Sequence, residues 1–233
     1  RYTTPVRISN PKSSSVKGEI KFVLKHGVIM NFIWKDIKQS KIGSTGGTSR
    51  IVYDINNEPQ NTMLSGDFFE SENSYPIETF FQLKINTHAI FCAFGYNSSD
   101  NSIIHAYPYP AKIGSTGGTT HYSSGRVDDN YITLPKREEN SGNENYFYTS
   151  EEYADCEYIV VLVSNVSFDY AQLYQQILNE SGLINEKISA ALYKNGISLN
   201  KKFQIYTEND AVFFSAELSD ASILPLIFAI KRQ

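Results

Sequence analysis

Apolar and polar residues alternate with a period of two in stretch after stretch of this chain, the signature of strands with one buried face. The clearest case is ETFFQLKI at 78–85, which places Phe81, Leu83 and Ile85 on one side and Phe80, Gln82 and Lys84 on the other. KGEIKFVL at 17–24 and VIMNFIW at 28–34 read as two strands joined through His26 and Gly27, a short hairpin connection. RIVYD at 50–54 and YITL at 131–134 are shorter candidates. AIFCAFG at 89–95 and SIIHAY at 102–107 flank the turn-forming YNSSDN, which predicts a second hairpin. YIVVLVS at 158–164 is apolar without interruption and predicts a central strand covered on both faces.

The period changes after Ser167. Leu173, Ile177, Ile184, Ile188 and Leu192 recur at helical spacing, with Ser167 or Asp169 available as N-cap and Asn195-Gly196 as a stop. Ser181-Gly182 divides this stretch into two short helices or kinks one. Strand texture then returns in VFFSAEL at 212–218 and LIFAIK at 226–231, which predict a closing pair. The expected class is α+β, mainly β: a β-sandwich-like core with one or two short helices near the C-terminus. Phe81, Leu83, Ile90, Phe94, Ile104, Val160 and Leu162 are its expected buried members. The expected organisation is an N-terminal β-hairpin extension over 1–60 packed on the core, a β-domain over 61–166, and a helix with closing strands of the same globule over 167–233.

Composition narrows the class of partner. With 233 residues and 41% hydrophobic content, the chain is long enough to bury a core. Its net charge of −4 comes with 21 dispersed Lys and Arg rather than a basic stripe, which argues against nucleic acid. The apolar runs are strand-length, well short of the roughly 20 residues a membrane helix needs, so no membrane span is expected. The chain opens at Arg1 without methionine, which reads as a fragment processed from a larger polypeptide. Two cysteines, Cys92 and Cys156, are too few for a disulfide framework, and a single bridge requires their strands to be neighbours.

One octapeptide, KIGSTGGT, occurs at 41–48 and again at 112–119. A phosphate-binding loop needs a Lys after its glycines and a helix behind them. Here a strand pattern follows the first copy and the polar run THYSSGRVDDN follows the second. Both copies are therefore expected to be surface turns without phosphate, and no cofactor is expected.

Catalytic patterns fare no better. His26-Gly27 with Asp155-Cys156 suggests a caspase-type dyad, but Cys156 precedes an apolar strand where such a nucleophile should follow one. His88, His105 and His121 lack any ligand spacing for a metal, and the pairs Asp128-Asp129, Glu138-Glu139 and Glu151-Glu152 lack the alternating spacing of a calcium loop. Tyr107, Tyr109 and Tyr122, beside Pro108 and Pro110 and the second octapeptide, form the candidate contact surface. The same tyrosines also suit the covering of a core edge.

The succession LSGDFF, ETFFQLKINTHAIFCAFGYNSSDNSIIHAYPYP, YITLP and ADCEYIVVLVSNVSFD resembles an uncharacterised bacterial domain family often found C-terminal to caspase-like peptidase domains, in Bacteroidetes-type members. The tail, DYAQLYQQI and then VFFSAELSDASILPLIFAIK, is similar to the segment that follows the domain there. The resemblance covers about two-thirds of the chain and carries no catalytic motif. It implies an accessory, non-catalytic β-domain exported to the cell envelope or beyond. The two KIGSTGGT segments depart from the family pattern. Three functional classes follow: a binding module acting through protein–protein contacts, a structural subunit of a self-assembling surface fibre, and a cysteine hydrolase.

Overall fold

A computed structural model of the chain describes residues 14–34, 40–45, 48–54, 69–108, 126–128, 131–135, 146–149, 156–165, 167–200, 203–208, 211–219 and 222–233. They form three layers, two β-sheets and a pair of helices, so the β-rich sandwich-like class read from the sequence holds. The first sheet runs in the order β10 (Arg126–Asp128), β11 (Tyr131–Leu134), β7 (Phe80–Thr87), β1 (Ser14–Leu24), β16 (Ala211–Leu218), β15 (Phe203–Glu208), β5 (Thr48–Asp54), β4 (Ser40–Thr45). Two short strands join it from the side, β2 (Ile29–Met30) on β1 and β12 (Phe147–Tyr148) on β7. The second sheet has the order β3 (Phe32–Trp34), β6 (Phe69–Ser71), β17 (Ser222–Lys231), β13 (Cys156–Ser164), β8 (Ile90–Asn97), β9 (Ser102–Tyr107), with β14 (Ser198–Leu199) on β17.

Side-chain parity sorts the core. Between the sheets, Ile20, Phe22, Phe81, Leu83, Ile85 and Phe214 of the first sheet meet Phe91, Val161, Val163, Leu226 and Phe228 of the second. Phe228 is the hub of an aromatic cluster, with Phe22 and Phe69 each at 4.8 Å and Phe32 at 5.2 Å. The intervening residues of the second sheet, Cys92, Phe94, Val160, Leu162 and Ile227, face a separate apolar layer beneath the helices. Its strands are therefore apolar at nearly every position, because both faces are covered. The first sheet alternates.

Helices α1 (Tyr170–Asn179) and α2 (Ile184–Lys194) occupy the predicted segment. Asp169 is the N-cap of α1, its carboxylate accepting from the Gln172 amide at 3.0 Å. All five residues predicted at helical spacing are buried. Gly182, at φ +100, makes the break, and Gly196, at φ +67, follows the Asn195 cap of α2.

Several expectations change. The predicted hairpin through His26 and Gly27 forms, with Gly27 at φ +83, yet its second arm divides: Met30 pairs with Phe22 in the first sheet and Phe32 pairs with Ser71 in the second. The chain thus crosses between layers at Asn31. VFFSAEL and LIFAIK do not close on each other, since β16 lies between β1 and β15 whereas β17 lies between β13 and β6 in the other sheet. In the first octapeptide, Lys41 to Thr45 and Thr48 are strand, β4 and β5 pairing from Ser40↔Tyr53 to Thr45↔Thr48, while Gly46 and Gly47 lie outside the described residues. The second copy lies outside the described residues. Of the expected core, Ile90 is 38% exposed because it starts β8 opposite Ser164, at the end of the sheet, and Ile104 is half-buried on the terminal strand β9.

Candidate contact surface

The sheet topology decides which aromatic side chains are left at the surface. On β7 the inward residues Phe81, Leu83 and Ile85 enter the inter-sheet core, so Phe80, Gln82 and Lys84 occupy the outer face of the first sheet. β12 pairs across from β7 with Phe147 opposite Phe81 and Tyr148 opposite Phe80. Phe147 turns inward and stacks on Phe81 at 5.5 Å, which leaves Tyr148 outward beside Phe80 at 5.9 Å. On the other flank the Lys25 amide donates to the Phe80 carbonyl at 2.9 Å. A row Lys25–Phe80–Tyr148 therefore runs from the turn after β1 across the start of β7 to β12.

This row is exposed and largely apolar. Phe80 is 37% and Tyr148 44% exposed. The turn that carries Lys25 also presents Val28, 61% exposed, and the turn before β7 presents Ile77, 42% exposed. That second turn is anchored to β12: Thr149 Oγ1 donates to the Pro76 carbonyl at 2.7 Å, and the Glu78 amide donates to the Thr149 carbonyl at 2.8 Å. One step inward along the sheet, Val23 sits between Gln82 and Ile29 and extends the apolar surface. The Lys25 ammonium stands over two rings, 5.2 Å from the centre of Phe80 and 5.6 Å from that of Tyr146.

Charge continues along the same face. Lys21 and Lys84 are directly opposed on β1 and β7, an arrangement unfavourable by itself. Lys21 is held by the Glu19 carboxylate at 2.6 Å and donates to the Tyr131 hydroxyl at 2.9 Å. Burial lowers the Lys21 pKa, but these two partners outweigh it and the net shift is upward. The side chains of Lys25 and Lys84 make no hydrogen bond or ion pair among the described residues.

The tyrosines singled out by sequence fall elsewhere. Tyr107, at the end of β9, is half-buried, stacks on Phe91 at 5.3 Å and accepts the Tyr174 hydroxyl on its carbonyl at 3.0 Å. Tyr109 and Tyr122 lie outside the described residues. The aromatic row at Phe80 was missed, although its signal was present: a phenylalanine on the polar side of an alternating strand.

The two cysteines sit far apart in the strand register. Cys92 is fully buried and unbridged, and burial pushes its pKa up to about 12 despite hydrogen bonds from Tyr174 and Leu162. It pairs with Leu162 on β13, six residues from Cys156 on that strand, a separation of about 20 Å along a strand. A bridge needs Cα atoms within about 7 Å, so the register rules it out. A thiol that stays protonated at neutral pH is a poor nucleophile. His26 lies in the exposed β1–β2 turn. Among the described residues no group of three or more His, Cys, Asp or Glu is placed to hold a metal ion, and no helix is long and apolar enough to cross a membrane.

Comparison of the chain with protein-family models, with curated proteins and with solved structures gives no match in any of the three.

Proposed function

We propose that this protein is a non-catalytic accessory or binding domain that works through protein–protein contacts, using the outer face of the first sheet around Phe80. The observation that carries the reading is the exposed row Lys25–Phe80–Tyr148, with Val28 and Ile77 beside it. Aromatic side chains held on paired strands offer contact area at low entropic cost, and they are enriched where proteins meet. Its place in a larger, exported bacterial polypeptide is supported by the resemblance of its strand succession to the accessory family described above. The candidate surface at Tyr107, Tyr109 and Tyr122 belongs to the same proposal as a second patch. The packing of Tyr107 on Phe91 favours a covering role for that residue.

The test is a Phe80→Ser, Tyr148→Ser double variant compared with a Tyr107→Ser, Tyr109→Ser, Tyr122→Ser triple variant. Self-association would be followed by sedimentation and partner capture by pull-down. Loss of association in the double variant, with the circular dichroism of the native protein retained, is the expected outcome. Unchanged association with an intact fold removes the Phe80 surface from the reading.

A second reading, a subunit of a self-assembling surface fibre, is favoured by β4, which among the described residues ends the first sheet with a strand of six residues without proline. The edge of LIFAIK is not available for such addition, because β17 is paired on both sides. A fibre subunit grows into large species on size exclusion, whereas a binding module stays at one size.

A further inference from the structure

Resting on the contact-surface reading, we infer that the partner presents an acidic polypeptide segment, with carboxylates set among apolar side chains. The chain carries a net charge of −4, yet among the described residues the face around Phe80 carries more lysines than carboxylates. Lys21, Lys25 and Lys84 stand there against Glu19 and Glu78. Glu19 is already committed to Lys21. Lys25 and Lys84 have no carboxylate or carbonyl on their ammonium groups among the described residues.

The arrangement is specific in two respects. Lys84 is set directly across from Lys21 on neighbouring strands, so two like charges repel unless an anion lies between or above them. Lys25 is exposed and held over Phe80 and Tyr146, which places its ammonium at the apolar row, where a carboxylate flanked by apolar side chains can meet it. Between the two lysines lie Phe80, Gln82 and Val23, surface suited to apolar side chains. A segment alternating acidic and apolar residues satisfies both. An extended segment on β-strand spacing fits the row-to-row repeat of this face.

Three synthetic peptides of equal length and shared aromatic and aliphatic content would serve as probes, differing only in whether Glu, Gln or Lys fills the polar positions. Vesicles of phosphatidylcholine with and without phosphatidylserine complete the set. Binding is read by fluorescence anisotropy and by amide shifts at Lys25, Phe80, Lys84 and Tyr148. The expected result is that the Glu peptide binds tightest, that its affinity falls with added salt, and that Lys25→Gln and Lys84→Gln each weaken it roughly tenfold, about 1.4 kcal/mol, with the circular dichroism of the native protein retained. The inference is overturned if the Gln peptide binds as well as the Glu peptide, if no peptide binds, if both lysine variants bind as the native protein does, or if only the anionic vesicles are bound. Loss of association in the Phe80→Ser, Tyr148→Ser variant alongside full association in both lysine variants would leave the contact surface standing and remove the acidic partner.

Discussion

Cys92 shows how far burial alone sets the chemistry of a residue in this fold. It lies in the layer under the helices with no solvent exposure, and its thiol is pushed up to about 12, against about 8.5 in an unfolded chain. The sign follows directly. The folded state holds the proton more tightly, so the associated stability is fully present below about 8.5 and is lost as pH rises toward 12. Urea unfolding between pH 8 and 11 should therefore give a falling stability, with a shallower fall in Cys92→Ala. Identical slopes in the two proteins would show that the thiol does not ionise differently on unfolding. Residues of this kind are half legible in sequence. The alternation in ETFFQLKI places Phe80 on the polar side, but whether that side meets solvent or another layer depends on what the fold puts over it.

At the scale of elements, a polar cluster around Asn101 and Lys187 helps tie the helical pair to the β8–β9 hairpin. The buried Lys187 donates to the Asn101 side-chain oxygen at 3.0 Å and to the Glu180 carbonyl, while the Asn101 amide donates to the Leu178 carbonyl at 2.8 Å. The last carbonyls of α1 thus find donors, one of them a cation at the negative end of the helix. Asn101 also sits at φ +55, where Asn is tolerated better than most residues. Asn101→Ala should cost about 2–4 kcal/mol, from the unmet carbonyl, the stranded ammonium and the strained backbone together. Denaturant melts would measure it, and hydrogen exchange in α1 and α2 should rise before exchange in β13. A loss under 1 kcal/mol would show that the cluster does not fasten the helices. The helices themselves were readable from Leu173, Ile177, Ile184, Ile188 and Leu192. Their fastening was not, because Asn101 and Lys187 are separated by 86 positions in the chain.

For the whole molecule, the order of stability should follow the layers. β13 is flanked by β17 and β8, with the inter-sheet core on one face and the helical layer on the other. Its amides from Ile159 to Val163, with those of β17 around Phe228, are expected to exchange only through global unfolding. Faster exchange there than in β7 would contradict a core centred on the second sheet. The continuous apolar run YIVVLVS and the alternating ETFFQLKI were enough to distinguish a strand covered twice from a strand covered once, because side-chain parity is a local property. Neighbours are not local. That β1 lies between β7 and β16, that β16 and β17 belong to different sheets, and that the chain changes sheet at Asn31 depend on pairings between distant segments, for which alternation specifies a face but no partner. The same holds for the surface. Sequence by itself determined the β-rich class, the helical stretch near the C-terminus and the polar side on which Phe80 lies. Only the tertiary structure brought Lys25, Phe80 and Tyr148 into one row, since each arrives from a different strand or turn and the backbone hydrogen bonds between them set the register.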